Sequence, residues 1–233
     1  MTYMRNSLTR ECIKPKAAIN FPSWPCFADD EIKAVSNILA SGKVNYWTGD
    51  EGKQFEKEFA RTIQTKYAVS LMNGTVALEA ALAALDIGAG DEVITTCRTF
   101  IASASAIVMR GARPVLADVD PISQNITVDA IAGKLSRKTK AIIVVHLAGW
   151  PCEMDAIMDF ARTHKLSVIE DCAQSLGATY RGQPVGSFGD VAAFSFCQDK
   201  IMTTRGEGGM ITTNQTAVWQ KIWSLKVHGK NYD

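Results

Sequence analysis

Residues 190–209 read DVAAFSFCQDKIMTTRGEGG. The apolar and small side chains of 191–196 form a strand pattern that runs straight into a polar loop, and Lys200 stands just past the strand's end. Ser195 lies shortly before the lysine, and Gly206, Gly208 and Gly209 follow it, so backbone capable of close approach surrounds a single amine. A lone lysine is ordinarily a solvated surface group. Whether this one is held for chemistry depends on what the rest of the chain brings beside it.

Upstream, residues 166–170 (LSVIE) form a short apolar run ending in Glu170, and Asp171, Cys172, Ala173 and Gln174 follow. That places a carboxylate and an amide where a parallel strand hands over to its loop, the edge at which open α/β sheets bind ligands. A strand-end carboxylate together with a loop lysine suits pyridoxal phosphate. The amine forms a Schiff base and the carboxylate keeps the pyridine nitrogen protonated.

A phosphate has a candidate seat as well. The strand pattern of residues 67–71 (YAVSL) ends in Asn73-Gly74-Thr75 and passes into the helical run VALEAALAAL. Free backbone N–H groups and the positive end of a helix dipole converge at such a junction, at Gly74 and Thr75. The ordinary reading of Thr75 is a helix-start residue.

Between these pieces strand and helix patterns alternate: strands over 92–95, 114–119, 140–145, 166–170 and 209–213, helices over 100–109, 128–135, 154–164 and 215–226. Such alternation predicts crossover units and a parallel sheet covered by helices. Phe100 opens a helix just past a strand end, where its ring either stacks on a planar cofactor or packs in the core. Residues 177–189, rich in glycine and polar groups, predict a hairpin leading to the Lys200 strand. Earlier, residues 29–39 show apolar Ile32, Val35, Ile38 and Leu39 behind an acidic first turn, a helix ended by Gly42. A loop carrying Tyr46 and Trp47 and a second helix over 53–65 come next.

With 233 residues, 47% of them hydrophobic, the chain can bury a sizeable core, and a formal net charge of +1 points to neither nucleic acid nor a membrane surface. The first twenty residues carry Arg5, Arg10, Glu11, Lys14 and Lys16 without the apolar segment of a signal peptide, so a cytoplasmic location is expected. Six cysteines with no CxxC pair, and only three histidines, give no local zinc pattern and read as reduced thiols.

Taken together, NGTVALEAALAALDIGAGDEVIT, Thr99-Phe100, GARPVLADVD, IEDCAQSLGA, GSFGDVAAFSF and GEGGMI resemble, in one order across nearly the whole chain, the DegT/DnrJ/EryC1/StrS family of sugar aminotransferases. The resemblance implies the fold type I large domain of pyridoxal-phosphate enzymes, a mostly parallel sheet with helices on both faces. It implies that Lys200 carries the cofactor and shuttles the proton, that Asp171 pairs with the ring nitrogen, and that Gln174 lies near the ring hydroxyl. Ser195, Gly74 and Thr75 would hold the phosphate and Phe100 would stack on the ring. It further implies glutamate as amino donor, a nucleotide-linked keto-sugar as acceptor, and a homodimer. Lys200 argues against the family's dehydratase branch, which has histidine there. Cys197 stands where many relatives have histidine, and Arg205 where glycine is common.

On this reading residues 1–28 form an N-terminal arm and 29–233 the cofactor-binding large domain, while a small C-terminal domain is absent from the chain. The alternative is a truncated, inactive remnant that keeps the fold as a cofactor-binding or interaction protein.

Overall fold

The structure, a computed structural model, describes residues 23–204 and 206–231. Most of the expected N-terminal arm, and Arg205, lie outside the described residues. Among those residues β1 (Tyr67–Leu71), β2 (Glu92–Thr96), β3 (Arg113–Ala117), β4 (Thr139–Val145), β5 (Ser167–Asp171), β8 (Val191–Ser195) and β9 (Gly209–Thr213) form one sheet, in the order β1-β9-β8-β5-β4-β2-β3. The pairs β2–β3, β2–β4, β4–β5 and β5–β8 are parallel. Only β9 is reversed, antiparallel to both β8 and β1. A small hairpin of β6 (Thr179–Tyr180) and β7 (Gln183–Pro184) stands where residues 177–189 predict one.

Alternation along the strands divides the core in two, because successive side chains point to opposite faces. Ile142, Val144, Val168, Phe194 and Met210 face one layer, with Phe59 and Ile63 of α2 (Glu51–Ile63), Ile131 of α5 (Val128–Ala132) and Ile157 of α6 (Met154–His164). Ala141, Ile143, Ile169, Ala193 and Ile211 face the other, with α3 (Gly74–Ala84), α4 (Ala102–Met109) and α7 (Thr216–Lys226). Strands covered on both faces read as apolar runs, and the burial of β4 from Ala141 to Val145 is an instance. Each fully buried isoleucine or leucine in these layers contributes about 1.5–3 kcal/mol.

Two expectations need correction. The helix predicted over 100–109 begins at Ala102, leaving Phe100 in the preceding turn with 66% of its surface exposed, so its ring does not pack in the core. The helix over 128–135 stops at Ala132, where Gly133 breaks the run. The first helix, α1 (Asp29–Ser41), ends at a left-handed Gly42 as its sequence says, yet none of its residues is buried. Its stripe of Ile32, Val35 and Leu39 faces outward among the described residues. Among those residues no helix is long and apolar enough to cross a membrane.

Candidate active site

The C-terminal ends of β1, β2, β4, β5 and β8, or the residues just after them, meet at one pocket of about 400 Å³ on one edge of the sheet. The wall includes Gly74 and Thr75 after β1, Thr99 and Phe100 after β2, Val145 ending β4, Asp171 ending β5 with Gln174 beyond it, and Ser195 ending β8. Lys200 closes it from the β8–β9 connection. All seven residues singled out in the sequence therefore meet in one cavity of a size ordinary for small ligands.

The reversal of β9 explains where Lys200 sits. Parallel neighbours need a long crossover, whereas β8 and β9 are joined by residues 196–208 returning on the same edge. Phe196 N–H donates to Gly208 O at 2.7 Å and Gln198 N–H to Gly206 O at 2.9 Å, zipping the base of this loop. The lysine is displayed beyond the zipped base with its side chain 22% exposed, and Nζ lies 3.5 Å from Asp199 Oδ2.

At the opposite wall the backbone itself forms the cradle. Asn73 caps α3 by accepting from Val76 N–H at 2.9 Å, and the first N–H groups of the helix, at Gly74 and Thr75, have no partner within the helix. Glycine is required at two points of this wall. A Cβ on Gly74 would lie 2.8 Å from Ser195 Cβ, and one on Gly209 would run into the Asn73 backbone. The N-terminus of α3, β8 and β9 thus meet backbone to backbone, with the Ser195 hydroxyl beside the free N–H groups.

Asp171 is buried. Its Oδ2 accepts from Ser103 Oγ at 2.7 Å and its Oδ1 from Ala173 N–H at 3.1 Å. Burial pushes its carboxyl above the usual carboxylate range, against the opposing pull of these two donors and of His146 and Lys200. Gln174 turns Oε1 to Ala148 N–H at 2.9 Å, so its amide NH₂ is the group left to donate. Cys197 carries a thiol raised by partial burial and by the adjacent carboxylates, and as a neutral donor it meets Glu207 Oε1 at 3.4 Å.

Sequence reasoning missed Ser103, Asn73 and Glu207. Thr99 was quoted only as part of a family match. The signal for Ser103 was its place one helical turn after Thr99 at a strand-end helix, which becomes informative only once β2 and β5 are known to be near neighbours.

One further cluster lies behind the wall. His146, Glu170 and Cys172 are buried with their ligand atoms within 4.8 Å of one another, a spacing that would suit a metal. Their lone pairs are taken, however. His146 Nδ1 accepts from Cys152 N–H at 3.1 Å, and Glu170 accepts from His146 Nε2 and from the N–H groups of Gly186, Phe188 and Gly189 at 2.7–3.0 Å. Burial raises the Cys172 thiol well above its ordinary value and Cys152 to about 12, so both are inert core thiols.

Pyridoxal phosphate fits the residues present. A buried acid lacking a bonded cation suits a protonated ring nitrogen, a glycine-walled helix start suits a phosphate, an exposed ring suits a planar face, and an amine stands within the same cavity.

Comparison with known proteins gives the same picture. The chain is 48% identical over 186 residues to the GDP-perosamine synthase of Caulobacter vibrioides, covering 78% of this chain and 50% of that protein. The X-ray structure of the aminotransferase from Psychrobacter cryohalolentis superposes with a TM-score of 0.90 at 60% identity, covering 91% of this chain and 54% of that one. The structure of NtdA from Bacillus subtilis with bound cofactor PMP gives 0.82 at 30% identity, covering 89% and 47%. The chain spans about half the length of the curated relatives it matches. With residues 25–233 matched by the family model, the chain belongs to the DegT/DnrJ/EryC1/StrS aminotransferase family.

Proposed function

We propose that the protein is a pyridoxal-phosphate-dependent aminotransferase that moves an amino group from glutamate to the keto group of a nucleotide-linked sugar, acting in the cytoplasm as a homodimer. One observation carries the reading: Lys200 and Asp171 reach the same pocket from adjacent strands of the sheet. The sugar class is supported by the names of the curated relatives, and the reduced thiols Cys152 and Cys172 suit a cytoplasmic setting.

Bound pyridoxal phosphate supplies an electron sink that stabilises negative charge on the carbon bearing the amino group. The chain's own residues do the rest. Lys200 Nζ would anchor the ligand and, once the substrate's amino group has taken its place there, would take a proton from one carbon and return it to another, a transfer that needs an amine at short range on a loop fixed at its base. Asp171 holds positive charge at the ring nitrogen, in a site where little water competes. The α3 N–H groups and the Ser195 hydroxyl bind the phosphate, and Phe100 covers one face of the ring. The Gln174 NH₂ donates to the ring oxygen.

Borohydride reduction of the chain incubated with pyridoxal phosphate tests this. Reduction is expected to leave the cofactor's mass on the peptide containing Lys200, and Lys200→Ala to abolish that label completely. Label on another lysine, or none at saturating cofactor, would overturn the assignment.

A further inference from the structure

Asp171 is held from behind by a chain of hydroxyls. Ser103 in α4 is wholly buried, and its Oγ lies 2.7 Å from Asp171 Oδ2. Thr99 Oγ1, on the pocket wall, lies 2.8 Å from Ser103 Oγ. A hydroxyl has one hydrogen to give, and an ionised carboxylate only accepts. Ser103 therefore donates to Asp171, and the hydrogen in the Thr99–Ser103 contact comes from Thr99. Both dipoles point toward the carboxylate and reinforce one another. The other oxygen takes the Ala173 N–H, so one donor on each oxygen fixes the plane of the group.

We propose that Ser103 is a positioning residue that keeps Asp171 ionised and turned toward the ring nitrogen of the cofactor, with Thr99 as the second link of the same relay. This rests on the cofactor reading above and extends it to two residues that do no chemistry themselves. The other groups around Asp171 leave this role open. Lys200 from the β8–β9 connection favours the ionised form by charge alone, and His146 at the end of β4 is engaged by Cys152 N–H and Glu170. In β5, Glu170 is fully engaged by His146 and three N–H groups, and Cys172 is a neutral thiol. Burial, the largest influence, works the other way. A directional donor to Oδ2 is what remains to hold a dry carboxylate in its charged form, and Ser103 is that donor.

The test reads Asp171 directly in the cofactor-free 233-residue chain, by its ¹³C-carboxyl resonance against pH, assigned through its loss in Asp171→Asn. Ser103→Ala is expected to move the titration to higher pH, and Thr99→Val to move it in the same direction by less. Thr99→Ser, which keeps the hydroxyl, is expected to titrate like the parent. In the loaded protein, loss of a hydrogen bond to a charged group is expected to weaken pyridoxal phosphate about tenfold in Ser103→Ala. An unmoved titration in Ser103→Ala overturns the proposal. Should that variant fail to fold, the half-exposed Thr99→Val decides alone, since a purely structural role for the pair leaves the Asp171 titration where it was. Because the titration needs no cofactor, it can fail while the cofactor reading stands, and the reverse.

Discussion

Glu170 and Asp171 are consecutive carboxylates at the end of one strand, and the pleat of β5 sends them to opposite faces of the sheet. Glu170 is fully buried among four donors from His146 and the 186–189 turn. Asp171 is nearly as buried but has two donors, and it forms part of the wall of an open pocket. The pair separates two uses of a buried acid. One has its hydrogen-bonding capacity filled by the fold and acts as a staple between β4, β5 and the turn before β8. The other is left with two donors and opens on the pocket.

The largest effect expected from this contrast is at the staple. Glu170→Ala strands three backbone N–H groups and the His146 Nε2 donor in a dry interior, and unfolding by denaturant should show a loss of about 3–5 kcal/mol. A loss below 1 kcal/mol would mean that water reaches the turn and that the two acids are alike.

Asp171→Asn should go the other way. Folding raises the Asp171 pKa, so its contribution to stability is full below the ordinary carboxylate range and is lost as pH rises through the raised native value. Asparagine removes that loss. Its NH₂ can turn to Ser103, whose hydroxyl then donates to Thr99 instead. The cofactor-free variant should therefore be more stable than the parent at neutral pH by about 1 kcal/mol, with a flatter dependence of unfolding free energy on pH. It should also bind pyridoxal phosphate more weakly. Equal pH profiles for variant and parent would break the comparison by making Asp171 another staple.

The smallest effect on stability belongs to Phe100. With 66% of its surface exposed, the ring has little to lose, and Phe100→Ala should change the unfolding free energy by no more than about 0.5 kcal/mol while weakening cofactor binding. A larger stability loss would place the ring in the core after all.

What could be read in advance follows from the range of the forces involved. The strands from Tyr67 to Leu71 and from Gly209 to Thr213 and the helix from Met154 to His164 were legible to the residue, because apolar periodicity and local stop signals fix them. The gathering of Gly74, Asp171, Ser195 and Lys200 was legible because strand ends of an α/β sheet share an edge. The reversal of β9 was not, since a strand pattern carries no direction. Nor was the exposure of α1, since an apolar stripe at helical spacing reads the same whether it is buried or faces outward. Ser103 stayed hidden for a different reason. A serine inside a helix is ordinary, and only the approach of α4 to the end of β5 turns it into a donor for Asp171.

The place of β9 in the sheet also bears on how the site comes into being. It lies between β8 and β1, so the first and the last strands of the described chain must meet, and the entropy of closing that span has to be overcome before the pair forms. Gly209 rests on Asn73, so the start of α3 gains its floor from the same strand that closes the loop holding Lys200. Placing β9 in the sheet is therefore what brings the Lys200 loop and the start of α3 to the same edge.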